Sequence, residues 1–346
     1  MPRRTRSTPS RKQQHVALTL KKDVGFRLKT TGLEQWEFVH NALPEIHLAE
    51  VDLSTSFLGK RISAPLMISC MTGGYKDALT INRQLAETCE HLNIAMGVGS
   101  QRQAIENAQY HKTFSVVREG APTIPIVGNI GAAEVAAMTS ADAARKLIDL
   151  INADAFTVHL NPLQEFLQPE GNTNFRGVLR GIELLVRQLS VPVIVKEIGA
   201  GLSADVCKRL LDVGVRHIDV AGAGGTSWAG VETLRRTEKD VAIKFWDWGI
   251  PTAVALRQAA ALRSTYAFTL IASGGIGSGF EAAKCIALGA DIAASARPMI
   301  KQLQAAGKAG LRRLIAQWIE EIRGIMFLTG STTIADLQKA PLVRYT

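Results

Sequence analysis

The sequence predicts a closed (β/α)8 barrel, built as a single domain with an N-terminal extension. From residue 64 onward, short apolar segments alternate with amphipathic segments, as they do in parallel βαβ units. Eight such units in about 250 residues match a closed barrel better than an open doubly wound sheet, which is the alternative. Glycine is frequent, at 30 residues, and aromatic residues are sparse, at 6%, which favours tight turns between strands and helices.

The predicted strands are apolar on both faces, as expected for a parallel sheet that is covered by helices. They comprise residues 65–70, 94–99, 124–129, 155–160, 191–198, 217–223, 268–274 and 291–296. Helices are predicted between most of them, at residues 82–92, 140–151, 203–214 and 278–289, with a closing helix at 308–328. Ser140 is a predicted N-cap, and Gly214 and Gly289 are predicted to end their helices.

The positive charge is concentrated at the N-terminus. The net charge is +9, and residues 2–12 contain five basic residues and no acidic one. Residues 1–10 are predicted to form a disordered basic extension, with a transit peptide as the alternative. The remaining charge favours an anionic small substrate or cofactor. Nucleic acid is not an expected partner, because the sequence lacks the interleaved aromatic and basic residues of such a surface.

The cysteines and the hydropathy indicate a cytoplasmic protein that has no membrane partner. Cys70, Cys89, Cys207 and Cys285 lie far apart and form no CxxC pair. Buried reduced thiols are therefore predicted, rather than disulfides or a metal site. The sequence has no run of about 18 apolar residues, so no membrane span is expected.

Polar or glycine-rich residues that a simple turn does not require accompany the end of each predicted strand. The segments are MTGG (71–74), GSQR (99–102), NIGA (129–132), HLNPLQE (159–165), KE (196–197), AGAGGTSW (221–228), SGGIGSG (273–279) and SARP (295–298). In a (β/α)8 barrel the carboxyl ends of all strands meet at one face, which carries the active site. We therefore expect these segments to line one cavity.

Two features of these segments favour an anionic cofactor. The segments 273–279 and 295–298 follow the seventh and eighth strands, where barrels commonly bind phosphate through backbone N–H groups and helix N-termini. Lys196 lies within an apolar strand, where an unpaired ammonium group is unfavourable. Because neighbouring strand residues point to opposite faces, we predict that Lys196 points into the cavity and Glu197 toward the surrounding helices.

The segment HLNPLQE has two interpretations. In the first interpretation, a metal cluster is formed by His159, Asn161 and Glu165. In the second interpretation, His159 is a hydrogen-bonded structural residue. A single carboxylate such as Glu165 suits Mg²⁺, which keeps several waters and is often completed by phosphate oxygens of the substrate. Gln164 and Asn161 would orient a ligand without adding charge. The segment RKQQH (11–15) is likewise either a phosphate-binding group or a solvated basic tail.

Together these motifs resemble the type 2 isopentenyl-diphosphate isomerases, which depend on a flavin. The resemblance extends from about Arg11 to the C-terminus, and it also includes HNALPE (40–45), DLSTSFLGK (52–60), QPEGN (168–172), VKEIGAG (195–201) and DWGIPT (247–252). It implies a TIM barrel over residues 11–346 that binds FMN and Mg²⁺ and interconverts isopentenyl diphosphate and dimethylallyl diphosphate. It also implies NADPH as the reductant of FMN, and a homotetramer or homo-octamer.

The resemblance further implies roles for individual residues. The cofactor-binding residues would be Met71, Thr72, Gly73, Ser100, Asn129, Lys196, Thr226, Gly275, Gly277, Ala294 and Ser295. The substrate-binding residues would be Arg11, Lys12, His15, Ser100, Gln101, Arg102 and Gln164. The catalytic group would be Gln164, His159 and Asn161, and Glu165 would bind Mg²⁺. Two residues depart from the family pattern: Gly277 stands where the family usually has arginine, and Cys70 where it usually has serine.

The implied reaction moves a double bond by adding one proton and removing another, without net redox change. We find no pair of carboxylates suited to two-base catalysis, which agrees with the family's use of reduced FMN as acid and base. One alternative is an FMN-dependent 2-hydroxy-acid oxidase on the same barrel. That enzyme would need a His–Arg pair, and the sequence offers no clear equivalent. The other alternative is a polyanion binder that uses the basic arm.

Overall fold

The computed structural model describes the backbone of residues 8–345 and the side chains of residues 12–345. These residues form twelve β-strands, β1 to β12 in chain order: Trp36–Phe38, Thr55–Phe57, Lys60–Ile62, Leu66–Ile68, Ala95–Gly97, Ile126–Gly131, Ala155–His159, Val193–Lys196, His217–Asp219, Thr269–Ala272, Ile292–Ser295 and Leu342–Arg344. The same part of the chain forms fifteen α-helices, α1 to α15: Thr8–Lys21, Ala78–Leu92, Arg102–Glu106, His111–Gly120, Ala132–Ala136, Asp142–Ile151, Pro162–Leu167, Val178–Gln188, Ala204–Asp212, Trp228–Arg235, Asp240–Lys244, Thr252–Ala260, Gly279–Ala287, Arg297–Thr329 and Ile334–Leu337.

The predicted (β/α)8 barrel is confirmed. Strands β4 to β11 are parallel and form a closed barrel. Each of them falls within or overlaps one of the predicted strands. The barrel closes where β11 pairs with β4, with Ala294 opposite Met67. Since all these strands run in the same direction, their carboxyl ends meet at one face of the barrel.

Two layers of apolar side chains hold the barrel together. The barrel interior is filled by small and branched residues, among them Val127, Ala155 and Ile194. Phe57 and Ile62 from the β2–β3 hairpin pack against these residues. The hairpin therefore closes the end of the barrel opposite the strand carboxyl ends. A second and larger cluster lies between the strands and the surrounding helices.

The helix ends agree with most of the sequence signals. Ser203 and Ser278 accept hydrogen bonds from Val206 N and Glu281 N, and so cap α9 and α13. Gly214 and Gly289 follow these helices with φ of 95° and 110°, a conformation that favours glycine.

One helix N-cap was predicted wrongly. The N-cap of α6 is Ala141, not Ser140, because the Ser140 hydroxyl is hydrogen-bonded to the Asp142 carboxylate at 2.9 Å. The predicted closing helix at 308–328 is confirmed, because α14 consists of two helical segments that meet at the non-helical residues Ala306 and Gly307. The first segment, which starts at Arg297, was not predicted. The kink divides the helix near the predicted start, because Gly307 has a φ of 62° that interrupts the helical pattern.

The segment that precedes the barrel is partly regular. Helix α1 packs against α10 and α14, and β1 pairs with β12 near the C-terminus. The helix includes residues 8–10, which the sequence assigned to the basic extension; the rest of that extension, residues 1–7, lies outside the described residues. Between residues 8 and 345, no helix combines the length and the apolar character that crossing a bilayer requires.

Candidate functional site

A large cavity opens at the carboxyl ends of the barrel strands. Its volume is about 670 Å³, within the range of roughly 300–1,000 Å³ that is typical of small-molecule sites. All eight strand-end segments contribute to its lining, represented by Met71, Ser100, Asn129, His159, Lys196, Thr226, Gly275 and Ser295. The expectation that these segments line one cavity is confirmed.

Most of the predicted site residues lie in this lining. They are Lys12, His15, Met71, Thr72, Gly73, Ser100, Arg102, Asn129, His159, Asn161, Gln164, Glu165, Lys196, Thr226, Gly275, Ala294 and Ser295. The side chain of Arg11, also predicted to bind substrate, lies outside the described residues.

Two predicted site residues do not line the cavity. Gln101 is fully buried; its Nε2 donates to Leu147 O at 2.9 Å, and its Oε1 accepts from Asn129 N at 3.0 Å. Its amide therefore links β6 to α6 on the side of the strand away from the cavity, and it does not reach a substrate. Gly277 is also outside the lining, and its N–H donates to Glu281 Oε2 at 2.6 Å, in the first turn of α13. That contact keeps its amide from the cofactor role that we predicted.

The glycine cradle, formed by Gly222, Gly225, Gly274 and Gly275, lines one side of the cavity. Two backbone segments approach so closely here that side chains would not fit. A Cβ on Gly225 would lie 2.5 Å from Gly275 N, and a Cβ on Gly274 would lie 2.1 Å from Gly222 O. Gly274 and Gly275 have φ of 101° and 79°, which few other residues tolerate. Glycine-rich turns beside a barrel cavity are suited to bring backbone N–H groups close to a phosphate.

Lys196 points into the cavity, as predicted. It is 6% exposed, and its Nζ donates to Glu197 O at 2.6 Å. Asp219 on β9 is its neighbour across the sheet. Burial raises the pKa of Asp219, although Lys196 and the Ser273 hydroxyl act in the opposite direction.

Glu197 lies outside the lining of the main cavity. Its carboxylate accepts hydrogen bonds from the backbone N–H groups of Ile198, Gly199 and Ala200. The prediction that it turns away from the cavity is confirmed, but it binds the loop that follows β8 and not a surrounding helix.

His159 is an uncharged hydrogen-bonding group. Its Nδ1 lies 2.9 Å from Asn129 Oδ1, and Asn129 Nδ2 donates to Val98 O at 3.2 Å. Because the amide nitrogen of Asn129 is already a donor to Val98, its oxygen faces the imidazole, and Nδ1 of His159 carries the proton. Burial, assisted by Lys196 and Lys12, lowers the pKa of His159 to about 3. The Nε2 atom is therefore a hydrogen-bond acceptor.

A set of amides surrounds the carboxylate of Glu165 at the start of α7. Asn161 Nδ2 donates to Glu165 Oε1 at 3.0 Å, and Gln168 Nε2 donates to Glu165 Oε2 at 2.9 Å. Asn161 Nδ2 also contacts Gln164 Oε1 at 3.1 Å. The spacing of three, four and seven residues from Asn161 places all four side chains on one side of the helix start. Asn161, Gln164 and Glu165 therefore form one hydrogen-bonded group at this helix start.

Glu232 was not predicted as a site residue, but its carboxylate contacts both His15 and Gln164. This residue of α10 is 0% exposed, and its Oε1 lies 2.7 Å from His15 Nε2 and 3.4 Å from Gln164 Nε2. The His15 contact is an ion-pair distance at an angle outside hydrogen-bond geometry. Arg235 binds the other oxygen at 2.5 Å. Burial opposes the ionisation of Glu232, but His15 and Arg235 outweigh it and lower the pKa.

Two basic side chains, Lys12 and Arg102, also line the cavity. Lys12 Nζ donates to Gly73 O at 3.1 Å and to Ser100 O at 2.5 Å. Arg102 forms ion pairs with Glu106 at 2.7 Å and with Glu134 at 3.1 Å. Glu134 also lines the cavity and was not predicted. An anion that binds Arg102 would therefore compete with these carboxylates.

The cysteines are free thiols, as predicted. Cys89, Cys207 and Cys285 are buried, whereas Cys70 is half-buried and lines the cavity. Burial raises the pKa of Cys70 to about 11, so the thiol is not ionised at neutral pH. Within residues 12–345, no group of three or more His, Cys, Asp or Glu side chains is arranged to hold a metal ion. The His159–Asn161–Glu165 segment is therefore not a closed metal cage.

Comparisons with known proteins place this chain in a family. A model of the FMN-dependent dehydrogenase family matches residues 4–141 and 174–344. An isopentenyl-diphosphate delta-isomerase of Pelodictyon phaeoclathratiforme is 48% identical over 97% of both chains. The enzyme of the same name from Methanothermobacter thermautotrophicus is 44% identical over 96% of this chain and 92% of its own. The chain belongs to the type 2 isopentenyl-diphosphate isomerases.

The barrel of this isopentenyl-diphosphate isomerase family member also resembles solved structures of low sequence identity. A lactate oxidase of Pediococcus acidilactici has a TM-score of 0.70 at 16% identity, over 93% of this chain and 88% of that chain. A mandelate oxidase variant with benzaldehyde has a TM-score of 0.67 at 18% identity, over 96% and 95%. These structures support the fold alone.

Proposed function

We propose that the chain is an isopentenyl-diphosphate delta-isomerase that uses reduced FMN as acid and base and Mg²⁺ to bind the diphosphate. Its substrates would be isopentenyl diphosphate and dimethylallyl diphosphate, as the resemblance implies. One observation carries the proposal: the glycine cradle, Lys196 and the polar residues at the start of α7 all line the same cavity. Relatives that bear this enzyme name, at 48% and 44% identity over nearly the whole chain, support it.

The residues of the cavity fit FMN. Gly274 and Gly275 of the glycine cradle line the cavity after the seventh barrel strand, where barrels commonly bind a phosphate through backbone N–H groups. Gly275, Ala294 and Ser295 would hold the phosphate, and Met71, Thr72, Gly73, Ser100, Asn129, Lys196 and Thr226 would hold the ring and the ribityl chain. When bound and reduced, FMN would supply a group that both gives and accepts a proton.

The residues also fit Mg²⁺. Glu165 provides one carboxylate, and the Gln164 amide oxygen lies near it, where it accepts from Asn161 Nδ2. Asn161 and Gln168 face the Glu165 carboxylate with their amide nitrogens. Mg²⁺ prefers such oxygen ligands and usually keeps waters or takes substrate phosphates. The amide donors hold the Glu165 carboxylate in place before a metal arrives, as second-shell donors do in metal sites. Bound there, Mg²⁺ would neutralise charge on the diphosphate.

The basic side chains would bind the diphosphate itself. Lys12 and Arg102 are anchored at the cavity by backbone carbonyls and by carboxylates, and His15 lies beside them in the lining. Arg11 would join them from the same helix. These charges would bind the anion and place the apolar end of the substrate toward Gln164.

The side chains proposed to act in catalysis orient the substrate and remain uncharged. Gln164 is held between Asn161 and Glu232, and the pKa of His159, near 3, keeps the imidazole neutral. An isolated alkene is a weak base, so its protonation requires a site that excludes water. Helix α1 covers the cavity and would help to exclude it.

The central experiment measures the double-bond shift against the redox state of the flavin. The purified protein is loaded with FMN and Mg²⁺, reduced with dithionite and given isopentenyl diphosphate, and the product is followed by NMR. We expect dimethylallyl diphosphate only from the reduced enzyme. Gln164→Ala should lower kcat, whereas Gln317→Ala, an exposed glutamine of α14, should not. Full activity of oxidised or flavin-free protein would contradict the proposal, and so would reduction of the flavin by 2-hydroxy acids.

Three further expectations come from the family. NADPH would reduce the bound FMN, which anaerobic absorbance spectra would test. The protein would form a homotetramer or homo-octamer in the cytoplasm, without nucleic acid or membrane as a partner. Light scattering coupled to gel filtration would measure the assembly, and cell fractionation would test the location.

A further inference from the structure

Helix α1 forms one wall of the cavity. The residues that line the cavity from this helix are Lys12, His15, Val16 and Thr19. Their spacing of three and four residues places them on a single face of the helix. The first half of the helix is held by the contacts of Lys12 with backbone carbonyls and of His15 with Glu232.

The C-terminal end of α1 is held by Arg297. Its Nε donates to Thr19 O at 2.7 Å, and its Nη2 donates to Lys22 O at 2.9 Å. Carbonyl groups at a helix C-terminus lack partners within the helix, and the helix dipole places partial negative charge there. A guanidinium group, with its forked donors, satisfies two such carbonyls at once.

Arg297 comes from the part of the barrel that is proposed to bind the cofactor phosphate. It is the first residue of α14, follows Ala294 and Ser295, and lines the cavity together with them. The segment after α1 is bound to the same region, because Phe26 N donates to Gly225 O at 3.2 Å. The cofactor side of the cavity therefore supports the helix that carries the substrate-binding side chains.

We propose that Arg297 is a positioning residue for the substrate. By binding the last carbonyls of α1, it keeps the helix over the cavity and keeps Lys12 and His15 within reach of the diphosphate. The apparent affinity for substrate then depends on the fraction of molecules in which α1 is in place. The kinetic part of this inference rests on the proposed function, whereas the contact between Arg297 and α1 does not.

The experiment compares Arg297→Ala and Arg297→Lys with Arg313→Ala, which removes an exposed arginine of the same helix. Each holoenzyme is assayed for the KM for isopentenyl diphosphate, kcat, the Kd for FMN and the rate of tryptic cleavage after Lys21 and Lys22. We expect Arg297→Ala to raise KM by at least roughly tenfold, the ratio for the loss of a single charge-assisted hydrogen bond, because the change removes two such bonds. Cleavage after Lys21 and Lys22 should be faster, because proteolysis follows local opening, while kcat and FMN affinity stay near wild type. Arg297→Lys should be intermediate, and Arg313→Ala should match wild type.

Two results would overturn the inference. If Arg297→Ala weakens FMN binding while cleavage of α1 is unchanged, Arg297 is a cofactor ligand and does not position the helix. If KM and cleavage both match the Arg313→Ala control, Arg297 has no role at this site. If Arg297→Ala does not fold, the same measurements on Arg297→Lys and Arg313→Ala decide the question. An inactive wild-type enzyme would contradict the proposed function, and the cleavage rates would still decide whether Arg297 holds α1.

Discussion

A single methyl group added to the glycine cradle should weaken FMN binding. In Gly225→Ala the new Cβ would lie 2.5 Å from Gly275 N and 2.6 Å from Gly275 Cα. Both atoms belong to the backbone, so no side chain can move aside to relieve the contact. The Gly225 carbonyl also accepts a hydrogen bond from Phe26 N, which limits movement in the other direction. The two backbone segments must therefore separate.

The expected size of the effect follows from the energy of overpacking. Forcing a methyl group into a tightly packed site costs about 1–3 kcal/mol. If binding of the phosphate requires the unstrained arrangement of the two segments, the same free energy is lost from the affinity for FMN. This corresponds to an increase in Kd of roughly 5- to 150-fold.

The assay is a titration of the apoprotein with FMN, followed by quenching of flavin fluorescence. The matched control is Gly324→Ala, because a Cβ at this position of α14 meets no atom within 4 Å. Alanine at this helix position should stabilise the fold by roughly 0.5–1 kcal/mol and leave the FMN Kd unchanged. A folded Gly225→Ala protein that binds FMN as tightly as wild type would refute the assignment of the phosphate to this cradle.

Three other predictions follow. Because His159 has a pKa of about 3 in the fold instead of 6.5, only the unfolded chain gains a proton at this residue as the pH falls from about 7 to 5. His159→Asn should therefore reduce the loss of thermal stability over this pH range. A variant whose melting temperature falls with pH as steeply as that of the wild type would contradict this. Glu232→Gln leaves Arg235 with the carboxylate of Glu170 as its ion-pair partner. Urea titration should therefore show that the free energy of unfolding falls by roughly 3 kcal/mol. A much smaller fall would mean that the Glu232–Arg235 pair adds little to stability. Glu134→Gln removes one of the two ion pairs of Arg102, so that the guanidinium is freer to bind an anion. The KM for isopentenyl diphosphate should fall by roughly two- to fivefold. A raised KM in initial-rate assays would show instead that Glu134 positions the arginine.

The barrel and most of its lining were predictable because they depend on local patterns. Buried parallel strands have a distinct apolar signature, and the barrel topology alone brings their carboxyl ends together. Residues at a strand end, such as Asn129 and His159, enter the cavity for this reason. The direction of Lys196 followed from the alternation of side chains along a strand.

The failures concern residues whose orientation depends on distant partners. Gln101 follows a strand end like its neighbours Ser100 and Arg102. Its side-chain amide, however, is hydrogen-bonded to the backbone of α6 and β6 and not directed into the cavity. Glu232 lies in the middle of a helix, away from the strand ends. The only signal was an acidic residue within the apolar segment WAGVETL. Its partner Arg235 follows three residues later on the same helix, but nothing in the segment identifies its partners on α1 and α7.

The contact of Arg297 with Thr19 has a consequence for synthesis of the protein. The two residues are 278 positions apart, so α1 leaves the ribosome long before its supporting helix exists. At about 5–20 residues per second this interval is roughly 15–60 s. During this interval α1 lacks its support from Arg297, although Gly73, Ser100 and Glu232, which contact Lys12 and His15, are synthesised earlier. Chains that terminate before Arg297 would therefore hold this helix less firmly.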